Sequence, residues 1–291
     1  MSIIAGLEHI VRENEPLGPY TQLKLGGDAE YFAEPTSESE LVELVRRFSE
    51  QDLPVRLIGG GSNVLVRDEG VKGLVICLSA PEFCAVSADG NQLKVAGGTR
   101  LSHFVSTAVR EGFSGPENLV GIPGTVGGAL HENTEGNGYD IGSSLVSARV
   151  MTRSGEVVER DRKAMSFSYR QSSLDELVIL DAIFQFEREE PEVLTKRMQK
   201  LWIVRRTAQP VSEASMYVFK DTGVESAADL ISQCGLKGTR VGEVEISDKE
   251  PNTFVARKDA KCSDVLELIE LVQQKVKEQL DVEIETALQI W

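Results

Sequence analysis

Apolar positions along this chain follow two periods, and the switches between them mark out the elements. Leu41, Leu44, Val45 and Phe48 recur at helical spacing behind Ser37-Glu-Ser-Glu40, a cap residue with an acid three positions on. That pattern predicts a helix over roughly 38–50. Leu101, Phe104, Val105 and Ala108 line one face of a second helix, stopped by Gly112. A charged helix is predicted from 193 to about 206, ended by Gln209-Pro210, and a short one over 227–234, closed by Gly235. A last helix over about 264–280 carries Val265, Leu268, Ile269, Val272 and Val276 on one face. Between these, the pattern turns to strands. Leu23 and Leu25, then Gly26-Gly27, then Tyr31-Phe32 predict strand, turn, strand, and so do the apolar flanks of 59–63. Residues 74–78 and 92–96 read as strands, and 146–151 with 156–158 as a hairpin across Ser154-Gly155. In the strand 178–186, Val178, Leu180, Ala182, Phe184 and Phe186 fall on one side. Residues 282–290 read as a closing strand, and 1–15 as a short, partly helical lead-in.

Helices and strands are mixed along the chain, without internal repeats. Its 291 residues suggest about two domains, with a boundary near Arg188-Glu-Glu-Pro191. The net charge of −15 argues against nucleic acid, whose phosphates need a basic face; a local basic pocket for a phosphorylated small molecule stays compatible with it. The first residues show no basic, apolar leader, and no apolar run approaches the ~18 residues of a membrane span. The chain is therefore expected in the cytoplasm, away from membranes. Its four scattered cysteines, without a CxxC, are expected to be reduced thiols. Metal binding is not expected: His131-Glu132 opens like a zinc-protease motif, but Glu135 stands where the second histidine belongs.

Two glycine-rich loops carry the candidate chemistry. In Glu117–Gly128, four glycines fall within eight residues, Gly121 to Gly128, around Pro123. In the other, Gly59-Gly-Gly-Ser-Asn63 sits between apolar flanks. Such loops present backbone N–H groups to something flat or anionic, and two of them suggest one large ligand, a dinucleotide. The Rossmann fingerprint is absent, since Gly59-Gly-Gly-Ser-Asn-Val lacks the third spaced glycine and runs into a strand rather than a helix.

Seven segments in order carry a resemblance: Thr21–Gly27, Leu57–Val66, Gly121–Ala129, Tyr169–Ser172, Gln209-Pro210, Phe219-Lys220 and Cys234–Gly238. From about residue 16 to 291 the chain resembles the UDP-N-acetylenolpyruvoylglucosamine reductase family, in its shorter form. The resemblance implies an FAD-binding domain of the vanillyl-alcohol-oxidase (PCMH) type over 16–190, with lobes of about 16–80 and 81–190. It also implies a C-terminal α+β substrate domain over 191–291. FAD contacts are implied for Gly59, Gly60, Gly61, Ser62, Asn63 and Val64, and for Ile122, Pro123, Gly124, Thr125, Gly127 and Gly128. The absence of His and Cys from both loops points to a non-covalent flavin. NADPH is implied as hydride donor and a UDP-sugar enolpyruvyl ether as substrate, in peptidoglycan precursor synthesis. Arg170 is implied at the developing enolate, and Tyr169, Arg205 and Lys220 at the substrate. A monomer is favoured.

Three departures stand at the chemistry. The family's proton-donating serine, counted back from Phe219, reads Tyr217; Ser215 serves only if the loop bulges by two residues. The family's near-terminal catalytic glutamate reads Ala287. Its Met-Asn-Ala-Gly reads Glu132-Asn133-Thr134-Glu135, adding two acids where an anionic substrate is expected. Two functions are compatible with this pattern: a working reductase with altered acid–base groups, or an FAD-binding relative that has lost the reductase step and binds, regulates or acts on another substrate.

Overall fold

Residues 3–210, 212 and 214–291 are described in the computed structural model. Of the lead-in, residues 1 and 2 lie outside the described residues. Contacts group the chain into two units, neither of them continuous in sequence. The first comprises Met1–Glu13, Tyr31–Gly60 and Lys72–Arg205; the second comprises Asn14–Glu30, Gly61–Val71 and Arg206–Trp291.

The first unit holds two hydrophobic cores. In one, α1 (Glu38–Ser49) buries Leu41, Leu44, Val45 and Phe48 against Leu74 and Ile76. Ser37 Oγ accepts from Glu40 N at 3.3 Å, so the helix begins where the capping pattern places it. The Glu40 carboxylate returns to Thr36 N at 2.7 Å, one residue earlier than a capping box requires. The strand Val55–Ile58 runs parallel to the strand Val71–Cys77 beneath α1 and ends at Gly59.

The other core lies on a five-stranded antiparallel sheet. Its strands run Val157–Asp161, Leu145–Met151, Val178–Gln185, Gln92–Ala96 and Val86–Asp89 in that spatial order. Here α2 (Leu101–Arg110) sets Phe104 against Phe184, ring centroids 5.0 Å apart. The central strand departs from the one-sided expectation. Its register slips where Arg149 pairs with Asp181 but Val150 pairs with Ile179, leaving Leu180 as the extra residue of a bulge. Val178 and Leu180 consequently face the first core, while Ala182, Phe184 and Phe186 face the second. Two further helices follow: the short α3 (Val126–His131) and the 18-residue α4 (Pro191–Ala208).

The second unit is built on the sheet Ser215–Tyr217, Thr253–Ala256, Val244–Ile246, Arg240–Val241 with α5 (Ala227–Gln233) and α6 (Cys262–Leu280). All five apolar residues expected on the α6 core face are buried. Leu23 and Leu25 join this core, but from a turn and not a strand. Thr21 Oγ1 accepts from Leu25 N at 3.2 Å and donates to Leu25 O at 2.8 Å, so a side chain takes the bonds that a strand ladder would need. Two other expectations are also corrected. The lead-in forms the strand Val11–Pro16 where a helical turn was expected. Of the closing segment only Gln289–Ile290 is strand. Among the described residues no helix is long and apolar enough to cross a membrane.

Candidate flavin and substrate site

The two glycine loops meet within the first unit. A Cβ built on Gly59 would stand 2.6 Å from Thr125 Oγ1, and one on Gly60 would stand 2.7 Å from Gly124 Cα. Gly60 meets bare main chain, and Gly59 meets the Thr125 side chain, so neither position has room for a Cβ without a shift. The second loop is fastened from below. Gly127 N donates to Gly97 O and Val126 N to Thr99 O, both at 2.8 Å, and Leu101 N donates to Gly124 O at 3.0 Å. Thr125 caps α3 by accepting from Gly128 N. Ile122, one residue before Pro123, packs on the second core. A cradle this close to bare main chain suits the flat ring system and pyrophosphate of a flavin dinucleotide, so the residues present fit FAD.

The rest of the first loop lies in the second unit. Gly61, at φ +61°, abuts Tyr20 O, and Gln22 N donates to Gly61 O at 2.9 Å. After Ser62, Asn63 is held twice: its Nδ2 donates to Ala287 O and its carbonyl accepts from Gln289 N, both at 2.9 Å. Val64 then pairs in parallel with Gln289.

In the first unit, Tyr169 and Arg170 form the two-residue turn of the hairpin Phe167–Ser168/Gln171–Ser172. Arg170 takes φ +51°, a left-handed conformation that a long side chain adopts only against strain of about 1 kcal/mol. Such strain is typical of functional positions. The Arg170 Nη2 lies 3.4 Å from Glu132 Oε2. Arg205 packs its stem 3.1 Å from the Cβ position of Gly121 and its Nη2 3.3 Å from that of Gly136. Burial lowers its pKa.

In the second unit, Ser215–Tyr217 pairs in unbroken register with 253–255. Ser215 and Tyr217 therefore share a face, two residues apart. Tyr217 Oη donates to Asp221 Oδ1 at 3.4 Å, and Ser215 Oγ donates to Ser212 O at 3.2 Å. Lys220 Nζ is paired with Glu285 at 3.2 Å, both side chains exposed. Ala287 is buried, its N donating to Val218 O at 2.7 Å.

One organising residue carried no sequence signal. The side chain of Asn252, fully buried, accepts from Phe219 N and donates to Phe219 O, each at 2.8 Å. It fixes the segment that bears Tyr217 and Lys220. Nothing in Pro251-Asn-Thr marks this asparagine as different from any loop asparagine.

Residues 29–161 match the family described as FAD binding domain. Residues 209–291 match the UDP-N-acetylenolpyruvoylglucosamine reductase C-terminal domain. The UDP-N-acetylenolpyruvoylglucosamine reductase of Rhodopirellula baltica is 38% identical over 98% of this chain and 94% of that protein. The reductase of the same name from Bacillus velezensis is 35% identical over 96% of this chain and 93% of its own. Among solved structures, the UDP-N-acetylenolpyruvylglucosamine reductase of Thermus caldophilus superposes with a TM-score of 0.81 at 32% identity, covering 97% of this chain and 98% of that one. The glucose dehydrogenase Phl p 4.0202, at 14% identity and a TM-score of 0.52 over 66% of this chain and 45% of its own, shares the fold. With relatives matched almost end to end, the chain belongs to the UDP-N-acetylenolpyruvoylglucosamine reductase family.

Proposed function

We propose that this protein is a cytoplasmic FAD-dependent reductase of peptidoglycan precursor synthesis. Its substrate is UDP-N-acetylglucosamine enolpyruvate, its product UDP-N-acetylmuramate, and its reductant NADPH. The observation that carries the reading is the 38% identity to the Rhodopirellula baltica reductase, sustained over 98% of the chain. Bound FAD supplies the two-electron hydride chemistry; the chain supplies binding, charge and protons. Gly59, Gly60, Gly124, Thr125 and Gly127, with Ile122, Pro123 and Gly128 beside them, form the backbone cradle of the first unit. Gly61, Ser62, Asn63 and Val64 are cofactor contacts in this reading as well. Arg170, with Tyr169 beside it, offers its guanidinium to the carboxylate and developing enolate of the substrate, an interaction strongest where charge builds up. Arg205, half-buried against the Gly121 loop, suits a phosphate. Lys220, paired at the surface with Glu285, is also assigned to the substrate.

The proton falls to Tyr217. The unbroken register of its strand supports this over Ser215, because a two-residue bulge would disturb the pairing with 253–255. Tyr217→Phe is expected to slow reoxidation of the reduced protein by substrate about 100-fold or more, the usual range for a lost general acid. Ser215→Ala is expected to change it little. The opposite ranking in rapid-mixing absorbance traces would transfer the role to Ser215.

Substitution at Tyr217, Ala287 and Glu132 supports a second reading, an FAD-binding relative without the reductase step. One experiment separates the two. The purified protein is bleached anaerobically with NADPH and then mixed with the enolpyruvyl sugar nucleotide. Return of the yellow colour supports the reductase; a protein that stays bleached is the binding relative. Arg170→Ala is expected to keep its flavin and its bleaching by NADPH yet fail to reoxidise with substrate. Full turnover by this variant would remove Arg170 from the site.

A further inference from the structure

Glu132 and Arg170 are locked together by their neighbours. On one side of Glu132, His131 accepts at its carbonyl from Ser172 Oγ at 2.9 Å and donates from Nδ1 to Leu174 O at 2.8 Å. On the other side, Asn133 donates from Nδ2 to Ser168 O at 3.0 Å and accepts at Oδ1 from Gly142 N at 3.1 Å. These bonds tie the end of α3 to both strands of the hairpin whose turn carries Arg170. Asn133 is buried and takes φ +45°, a left-handed turn that asparagine tolerates. Only about a quarter of the Arg170 side chain and a fifth of the Glu132 side chain reach solvent (24% and 22%). The backbone of neither residue is free to carry its charge away from the other.

We infer that Glu132 is a specificity-determining residue: its carboxylate is held by the scaffold at the guanidinium of Arg170 and competes there with the carboxylate of the substrate. The inference rests on the reading of Arg170 given above and deepens it. A guanidinium has more than one donor edge, and Glu132 sits at one of them through Nη2 at 3.4 Å. An anion arriving at Arg170 must either displace Glu132 or bind beside it against like-charge repulsion, and both weaken carboxylate-bearing ligands selectively. Sugar nucleotides without that carboxylate do not meet the competition.

Two ligands isolate the effect: UDP-N-acetylmuramate, which carries the carboxylate, and UDP-N-acetylglucosamine, which lacks it. Binding of each to the flavin-loaded protein is measured by calorimetry for wild type, Glu132→Gln and Glu132→Met, with flavin content and melting temperature as controls for folding. The two variants guard against misfolding of either one. The expected result is a gain of about tenfold in affinity for UDP-N-acetylmuramate and none for UDP-N-acetylglucosamine, with KM for the enolpyruvyl substrate falling in parallel. Equal changes for both ligands, or no change, in folded variants would overturn the competition while leaving the reductase reading intact. Failure of every form of the protein to bind either sugar nucleotide would overturn the substrate reading, and the competition with it.

Discussion

Gly60→Ala is expected to yield a folded protein that purifies colourless. The new methyl would sit 2.7 Å from Gly124 Cα and 3.2 Å from Gly124 N and C. Those atoms are main chain, and Gly124 O is already tied to Leu101 N, so the obstacle cannot rotate away. One loop must retreat by several tenths of an ångström, and the donors aimed at the cofactor retreat with it. Overpacking of this kind costs about 1–3 kcal/mol. If it falls on cofactor binding, it weakens FAD by roughly 5- to 150-fold. The ratio of visible to ultraviolet absorbance after gel filtration, and titration of the apoprotein with FAD, measure the effect. Gly90→Ala is the control: a Cβ there meets nothing within 4 Å, although φ is +57°. It should cost only about 1 kcal/mol of backbone strain and leave the colour unchanged. Normal flavin in Gly60→Ala would mean that the loop contact does not serve the cofactor.

Asn252→Ala is expected to produce the largest loss of stability of any single polar substitution in the second unit. The substitution removes both partners of the Phe219 peptide at a site sealed from water. A buried group left unsatisfied costs about 1–3 kcal/mol, so two cost roughly 2–6 kcal/mol if no water enters. Denaturant unfolding followed by near-ultraviolet circular dichroism reports Phe219 and Phe254, whose rings lie edge to face at 6.0 Å. Catalytically, Tyr217 and Lys220 flank Phe219, so the variant should also lose rate in the substrate half-reaction while retaining flavin. Asn252→Asp keeps an acceptor for Phe219 N but turns a carboxylate oxygen toward Phe219 O at a fully buried site, so it should not rescue the loss at neutral pH. A loss below about 1 kcal/mol in Asn252→Ala would show that the clamp is dispensable, since measured single hydrogen bonds already reach that value.

Local rules carried much of this protein. Helix starts and core faces were legible because a cap and a 3.6-residue period are properties of consecutive residues, and α1, α2 and α6 lie where those patterns put them. The glycine loops were legible for a related reason. Close approach of main chain demands absence of side chains, and that absence is written in the sequence itself. Features that depend on a distant partner were not legible. The bulge at Leu180 answers the register of the neighbouring strand Leu145–Met151, and it moves Val178 and Leu180 to the opposite core. The turn at Thr21–Leu25 was hidden because alternating leucines look alike in a strand and in a tight turn that buries both.

The amino-acid order alone determined the family, the α+β class and the loops able to receive FAD, because each rests on runs of residues whose physics is local. Tertiary structure alone decided that residues 14–30 and 61–71 pack with 206–291, that Asn252 clamps Phe219, and that Glu132 faces Arg170. Each of these joins segments far apart along the chain, and no local propensity encodes which distant carboxylate or amide will be brought within 3–4 Å of a given backbone or guanidinium.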